Sequence, residues 1–289
     1  MSEGLLIAVT GATGLVGARL VADLADAGAR QRLVVRNPAR APQIAGVEIR
    51  QAADYGAGDE MCAAIDGADT LFLMPAGENP HRVQQHMSAV DAAVRAGVKR
   101  VVYLSFVGAS PDNTFTLGRE HWATEQHIRS TGLRWTFLRM NLYLDFIPSM
   151  VGSDGTIKGP AGDGRVAAVL RDDVAATAAR VLTTNGHDGH TYDLTGPDAF
   201  SLDEAAKIMS SATGKSIRFY NETDEEAFAS RAAFGAPEFE VRGWVSSYWA
   251  VRSGSLATVS TDVRDLIGRD PVSLNEYAQV HPEALAHVA

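Results

Sequence analysis

The stretch VTGATGLVG, residues 9–17, decides the fold class of this chain. It follows a short apolar run and opens an amphipathic segment, which predicts a strand, a tight turn and the start of a helix. Gly11 permits the tight turn, Gly14 lets backbone N–H groups approach a ligand, and Gly17 lets helix and strand pack closely. A glycine triplet alone is a weak signal, so its meaning depends on the surrounding segments.

Short apolar runs alternate with longer amphipathic segments through the first half of the chain. Helical periodicity appears, for example, in residues 14–28 and 81–97. The predicted strands are LLIAVT (5–10), RLVVR (32–36), VEIRQ (47–51), TLFLM (70–74), RVVYLS (100–105) and RWTFLR (134–139). Apolar strands that alternate with helices indicate a parallel sheet covered on both faces. We therefore predict an α/β fold with a Rossmann-type, doubly wound parallel sheet.

The pattern changes near residue 150. Glycine and proline accumulate in GTIKGPAGDG (155–164), and the chain from residue 201 onward is mostly helical. We expect residues 1–150 to form the Rossmann domain, with its sheet completed by parts of 165–196. Residues 151–289 are then expected to form a smaller, mostly helical lobe on the substrate side.

The glycine-rich turn has the context that a dinucleotide-binding site requires. A helix N-terminus offers unpaired N–H donors and a partial positive charge to a pyrophosphate. The alternative is a tight strand-to-helix turn without a ligand. The residues assigned to cofactor binding in this stretch are Thr10, Gly11, Ala12, Thr13, Gly14, Leu15, Val16 and Gly17.

The residues after the second strand indicate which dinucleotide binds. An NAD site usually has Asp or Glu there, which binds the ribose 2′-hydroxyl. This chain has Arg36 followed by Asn37, and Arg40 lies a turn later. A guanidinium suits a 2′-phosphate, so we predict NADP(H) in preference to NAD(H). The alternative is a solvated arginine at the end of a strand.

Composition excludes several classes of partner. The 289 residues carry a net charge of −9, which argues against nucleic acid and anionic membranes. No stretch approaches the roughly 20 apolar residues of a membrane span, and the N-terminus reads as a strand and not as a signal peptide. The single cysteine, Cys62, indicates a reducing compartment. We expect a cytoplasmic protein and allow for a homodimer.

The stretch GREHWATEQHI (118–128) is rich in reactive side chains. His121 and Glu125 lie four residues apart, on one face of a predicted helix. Two ligands are too few for a zinc site and His127 lies on another face, so we predict no metal. A structural role and hydrogen bonding to a substrate both remain open for the pair.

The chain resembles the atypical short-chain dehydrogenase/reductases of the NmrA-like family, in its quinone oxidoreductase and triphenylmethane reductase branch. The matching stretches are TGATGLVG, VVRNPAR, QAADY, HWATEQHI, WTFLRMNLYLDF, GPAGDGRVAAVLRDDVAATAARVL and TYDLTG. Most short-chain reductases carry Tyr-x-x-x-Lys on the helix that here bears His121 and Glu125. None of the seven tyrosines has Lys four residues later. The serine of that triad is retained as Ser105 by resemblance.

The missing tyrosine constrains the reaction. Hydride transfer to a ketone leaves an alkoxide, whose conjugate acid has a pKa of about 15.7, whereas a hydroquinone monoanion is phenol-like, near ~10. The difference corresponds to roughly 7–8 kcal/mol, so ketone reduction needs a proton donor and quinone reduction hardly does. We therefore predict hydride transfer from NADPH to a quinone or similar planar aromatic acceptor. One alternative is a tailoring enzyme, either a reductase or oxygenase-like, that acts on a polycyclic aromatic metabolite. The other is a non-catalytic NADP-binding redox sensor.

The resemblance places further residues at the site. It puts Leu73, Met74 and Pro75 close to the cofactor, and the turn with Met140, Asn141 and Tyr143 beside the nicotinamide. Related reductases show Arg-Asn-x-x-Tyr here, so Met140 departs from the pattern. Tyr143 and His121 are the candidate catalytic residues. The aromatic candidates for the substrate pocket are Phe106, Phe146, Trp244 and Tyr248.

Overall fold

The computed structural model describes residues 4–288. Its strands are, in chain order, β1 (Ile7–Thr10), β2 (Gln31–Val35), β3 (Glu48–Gln51), β4 (Thr70–Leu73), β5 (Arg100–Phe106), β6 (Arg134–Met140), β7 (Thr156–Gly159), β8 (Arg165–Val166), β9 (His190–Leu194), β10 (Phe200–Ser201) and β11 (Arg218–Asn221). Its α-helices are α1 (Leu15–Asp26), α2 (Gly58–Ile65), α3 (Arg82–Arg95), α4 (Thr116–Ser130), α5 (Arg171–Thr183), α6 (Leu202–Thr213), α7 (Asp224–Arg231), α8 (Glu238–Arg252), α9 (Asp262–Ile267) and α10 (Leu274–Val280).

The central sheet has seven strands in the order β3-β2-β1-β4-β5-β6-β9. Strand β1 pairs in parallel with both β2 and β4, and the pairs β2–β3 and β4–β5 are also parallel. The order of the strands therefore reverses direction at β1, which is the doubly wound arrangement. Every strand predicted from the sequence lies within two residues of its observed bounds. The predicted fold class is confirmed.

The inner strands of this sheet are largely apolar because both of its faces are covered. All residues of β1, β2, β4 and β5 are buried. On one face, α2 and α3 pack against the strands through residues such as Met61, Ile65 and Val90. Continuous apolar runs, without alternation, are what burial on both faces produces.

The chain divides into two compact units, each built from several segments. The first comprises the chain up to Ala109, with Glu120–Arg139 and Val174–Tyr192. The second comprises Ser110–Arg119, Met140–Asp173 and the chain from Asp193 onward. After residue 150 the chain returns to the first unit to add most of α5 and the start of β9, both within the segment 165–196 that was expected to complete the sheet.

The second unit combines short helices with two small sheets. Strand β7 pairs with β11 in parallel, and β8 pairs with β10 in antiparallel orientation. Helices α6, α7 and α10 each begin with a capping box, in which Ser or Thr and a Glu three residues later satisfy each other's backbone N–H groups. Among residues 4–288, no helix combines the length and apolar character that crossing a bilayer requires.

Candidate functional site

The glycine-rich turn has a geometry that only glycine permits at two of its positions. Gly11 follows β1 with φ +69°, and the N–H of Gly14 donates to the Gly11 carbonyl at 3.0 Å. A Cβ atom at Gly17 would lie 2.0 Å from that same carbonyl oxygen. A Cβ at Gly14 would meet it at 3.4 Å, an ordinary contact distance. Gly11 and Gly17 are therefore required by the turn itself.

A cavity of about 690 Å³ opens beside this turn, within the first unit. Its walls are the chain segments that follow the carboxyl ends of four parallel strands. They are Gly11–Gly14 after β1, Arg36 after β2, Ala52–Tyr55 after β3, and Met74–Asn79 after β4. Because β1 lies between β2 and β4, the cavity sits at the point where the strand order reverses. This is where open α/β sheets bind their ligands.

The N-terminus of α1 gives this cavity an anion-binding character. Gly14 caps the helix without a side-chain hydrogen bond, and the first turn contains no acidic residue. The free N–H groups and the helix dipole therefore offer a partial positive charge that no carboxylate in the first turn of α1 opposes. A pyrophosphate fits this environment, since Gly14 lines the cavity and carries no side chain that would obstruct a ligand.

Arg36 adds a full positive charge to the lining of the cavity. Its side chain is exposed, and it forms no ion pair with an acid among residues 4–288. Asn37, the next residue, instead uses its side chain to accept a hydrogen bond from the N–H of Ala39 and so caps a short 3-10 helix. The guanidinium of Arg36 is therefore available to an anionic ligand.

Several predicted cofactor residues lie outside the lining of the cavity. The Thr10 hydroxyl is buried, donates to the Phe72 carbonyl at 3.0 Å and accepts from the N–H of Met74 at 2.9 Å, so it joins β1 to the end of β4. The others are Leu15, Val16, Gly17, Asn37, Leu73, Ser105, Met140 and Asn141. Of the predicted set, Gly11, Ala12, Thr13, Gly14, Arg36, Met74 and Pro75 do line the cavity.

Sequence reasoning missed two segments of the lining. Residues 52–55 follow β3, and Ala76–Asn79 extend the segment after β4; Gln85 adds a side chain from α3. The stretch QAADY (51–55) enters the prediction only through the family resemblance. The rule that ligands lie beyond the carboxyl ends of the strands would have found both segments, since each directly follows a predicted strand.

His121 is buried inside the first unit, with both ring nitrogens engaged. Its Nε2 lies 3.2 Å from a guanidinium nitrogen of Arg82, and its Nδ1 lies 2.8 Å from the hydroxyl of Tyr103. A guanidinium can only donate, so Nε2 accepts and Nδ1 carries the proton. Burial, reinforced by the charge of Arg82, holds the pKa of His121 well below its usual value. The ring is therefore neutral and structural in its contacts, which do not favour the proposed catalytic role.

Glu125 faces a different partner from the same side of α4. It is fully buried and accepts from Arg139 through both carboxylate oxygens, at 2.9 and 2.7 Å. The Ser105 hydroxyl also donates to Glu125, at 2.6 Å. His121 and Glu125 thus share a helix face, as predicted, but they contact different cations, the buried Arg82 and the half-buried Arg139. Within residues 4–288, no cluster of three metal-ligating side chains occurs.

Tyr143 and its neighbours lie in the second unit. The Tyr143 hydroxyl donates to the Met140 sulfur at 2.6 Å, and the guanidinium of Arg171 lies 4.1 Å from the centre of its ring. Burial raises the pKa of Tyr143, so its phenol stays protonated at neutral pH. Asn141 is buried and donates its side-chain amide to the Leu256 carbonyl at 3.0 Å. Its observed contacts are structural.

The four aromatic candidates for a substrate pocket have different environments. Phe106 is buried in the first unit and stacks on His121, whereas Phe146 in the second unit is 52% exposed. Trp244 packs on the small core formed by α7 and α8. Tyr248 lies so close to Gly159 that a Cβ there would approach its ring to 2.1 Å. Trp244 and Tyr248 thus contribute to packing inside the second unit.

The doubly wound sheet, the glycine-rich turn and the cavity at the strand-order reversal define a Rossmann-type nucleotide-binding protein. The chain belongs to the NmrA-like family, which matches residues 4–239. It is 33% identical over 278 residues to Quinone oxidoreductase 2 of Escherichia coli (strain K12), with 94% of this chain and 96% of that protein covered.

Two solved structures show the same likeness. The NADPH-dependent quinone oxidoreductase of Escherichia coli, complexed with NADPH, is 32% identical with a TM-score of 0.88 and covers 95% of this chain and 99% of its own. The Citrobacter sp. triphenylmethane reductase, complexed with NADP(H), is also 32% identical, with a TM-score of 0.86 and coverage of 95% and 99%. The predicted family and branch are confirmed.

Proposed function

We propose that this protein is an NADPH-dependent oxidoreductase that transfers hydride to a quinone or a similar planar aromatic acceptor. The observation that supports it most directly is the unpaired, exposed Arg36 at a cavity whose other end is the glycine-rich turn. The two similar structures, one complexed with NADPH and one with NADP(H), support the same cofactor.

The residues of the cavity fit a phosphorylated dinucleotide. Residues 11–14 and the N-terminus of α1 would hold the pyrophosphate through backbone N–H groups. Arg36 would hold the 2′-phosphate, and no Asp or Glu stands at the end of β2 to bind a free 2′-hydroxyl. When bound, NADPH supplies the hydride. The chain's own contribution is to bind and orient it beside the acceptor.

The side chains at the position of the usual acid support an acceptor that needs no proton donor. Helix α4 contains neither tyrosine nor lysine. The Ser105 hydroxyl donates to Glu125, and the carboxylate of Glu125 is occupied by Arg139. Neither Ser105 nor Glu125 is thus poised to protonate a developing alkoxide. A hydroquinone anion is the more stable product by the roughly 7–8 kcal/mol derived above.

The experiment that tests this proposal is a cofactor-oxidation assay. Purified protein is mixed with NADPH, and nicotinamide absorbance is followed with and without a panel of small and polycyclic quinones and one cationic triphenylmethane dye. NADH and Arg36→Ala serve as comparisons. Acceptor-dependent oxidation well above the uncatalysed rate, weaker with NADH and with the variant, supports the proposal. Tight NADPH binding without turnover on any acceptor contradicts it and favours a sensor.

A further inference from the structure

The loop between β4 and α3 forms one wall of the cavity. Side chains of α3 bind both the backbone N–H and the backbone carbonyl of one of its residues, Ala76. Residues 74–79 line the cavity. The N–H of Ala76 donates to Nε2 of His86 at 2.8 Å, and the Ala76 carbonyl accepts from Nε of Arg82 at 2.7 Å. Both side chains come from the first turns of α3, four residues apart.

The same two side chains also bind α4. Arg82 is 3% exposed and donates to Glu120 at 2.7 Å as well as to His121. His86 is fully buried, and its Nδ1 lies 2.9 Å from the hydroxyl of Thr124. A buried charge and a buried imidazole are costly unless every polar atom has a partner, and here those partners link the loop to a rigid helix.

The direction of each hydrogen bond follows from groups that can act in only one way. The N–H of Ala76 must donate, so Nε2 of His86 accepts and Nδ1 carries the proton. That proton goes to Thr124, whose own hydroxyl donates to the Glu120 carbonyl at 3.0 Å. The chain of bonds therefore has a single arrangement, with a neutral His86.

A second pair of contacts holds the loop two residues earlier. The N–H of Met74 donates to the Thr10 hydroxyl at 2.9 Å, and the Met74 carbonyl accepts from the Tyr55 hydroxyl at 2.7 Å. The backbone N–H and carbonyl groups of Met74 and Ala76 are thus all hydrogen-bonded to side chains. A wall fixed in this way does not need to be ordered when a ligand binds.

We propose that Arg82 and His86 are positioning residues, which hold Ala76 and thereby keep the cavity wall in its cofactor-binding conformation. This inference rests on the proposed function, because it assigns these residues to NADPH binding. Neither lines the cavity, so both act through the backbone of Ala76. Ordering one residue costs about 1–2 kcal/mol, so releasing Ala76 should weaken NADPH binding about tenfold, which corresponds to about 1.4 kcal/mol.

The test compares His86→Leu, His86→Gln and His86→Asn in the full chain. The amide of Gln extends about as far as Nε2 and can still accept from Ala76, whereas the amide of Asn reaches only about as far as Nδ1 and can bind only Thr124. His127→Leu is the matched control, since His127 lies on α4 and pairs with Asp91, away from the cavity lining. Amide hydrogen exchange over residues 74–79 is measured without cofactor, followed by the Kd for NADPH and by KM and kcat.

We expect faster exchange in this segment, about tenfold weaker NADPH binding and a matching rise in KM for the Leu and Asn variants, with kcat at saturating NADPH retained. The Gln variant and the control should behave like the wild type. Should the Leu variant fold too poorly to measure, the comparison of Gln with Asn decides.

Two results would overturn the inference while leaving the proposed function intact. The first is equal NADPH affinity in the wild-type protein and the Leu or Asn variant. The second is equal weakening in the Gln and Asn variants, which would mean that the bond to Ala76 is not what matters. If the wild-type protein itself does not bind NADPH, the proposed function fails and the inference fails with it.

Discussion

Glu125 on α4 and Arg139 on β6 form a two-pronged ion pair, with both oxygens of the fully buried carboxylate accepting from the guanidinium. Replacing Glu125 by Ala removes one partner and leaves a poorly solvated cation. Breaking such a pair costs about 3–5 kcal/mol, and we expect about 3 because the Arg139 side chain is 21% exposed. Denaturant unfolding measures the loss. Asp59→Asn, which breaks a surface pair with Arg95, is the control and should unfold like the wild type.

Substitutions at two glycines of the glycine-rich turn should have different effects, one on folding stability and the other on ligand binding. Gly17→Ala places a methyl group against the backbone of Gly11, so we expect a loss of about 1–3 kcal/mol of stability. A methyl group in Gly14→Ala meets the Gly11 carbonyl oxygen at 3.4 Å, an ordinary contact, so this variant should fold normally. Because Gly14 lines the cavity, the added group should weaken NADPH binding. Thermal unfolding and NADPH titration of both variants check this. Equal destabilisation by the two substitutions would contradict it.

Arg36 should set the preference between the two nicotinamide cofactors. A hydrogen bond to a charged group contributes about 1.5–3 kcal/mol, so Arg36→Ala should weaken NADPH binding by roughly 10- to 150-fold. Binding of NADH should change little, because it lacks the 2′-phosphate. Titration of both cofactors measures the ratio. Arg50→Ala removes an equal charge outside the cavity lining and is the control; a similar loss there would point to a general electrostatic effect.

The buried histidines should make the fold sensitive to acid. Burial, with Arg82 nearby, holds the pKa of both His86 and His121 well below 6.5 in the folded protein. Below about pH 6.5 the unfolded chain therefore binds more protons than the folded one, and stability falls with decreasing pH. Each histidine contributes up to about 1.4 kcal/mol per pH unit until its folded-state pKa is reached. Denaturant unfolding between about pH 7 and pH 5 measures this change. The free energy of unfolding should fall less steeply with decreasing pH in His86→Gln than in the wild type.

Tyr143 should not be an essential acid for quinone reduction. Its hydroxyl already donates to Met140, and a hydroquinone anion needs no proton at the moment of transfer. General acid catalysis typically contributes about 10²–10⁴-fold, so we expect Tyr143→Phe to retain kcat within about tenfold. Steady-state rates with a saturating quinone check this. A fall of about a hundredfold or more would identify Tyr143 as the proton donor.

The sequence alone was sufficient for the fold and for one end of the site. Strand and helix periodicity repeats every few residues, and the glycine-rich turn is a local motif, so both are visible without three-dimensional information. Gly11 and Arg36 accordingly line the cavity where they were expected. The shared helix face of His121 and Glu125 was likewise predictable from their spacing.

The partners of those helix residues were not predictable. Arg82 and His121 are 39 residues apart, and nothing in the local pattern of either segment indicates the other. The position of residues 76–79 beyond β4 could have been predicted, but the bonds that Arg82 and His86 of α3 make to Ala76 could not. Buried polar pairing of this kind depends on the completed fold.

The exposed position of Arg36 has a consequence for how this protein can evolve. The side chains that fix the opposite wall, such as Arg82 and His86, are buried and jointly bonded, so a change at one disturbs several others. The Arg36 side chain is exposed and takes part in none of these buried bonds, so its replacement does not disturb the interior. If Arg36 binds the 2′-phosphate as proposed, a single substitution at this position changes the choice between NADPH and NADH without loss of folding stability.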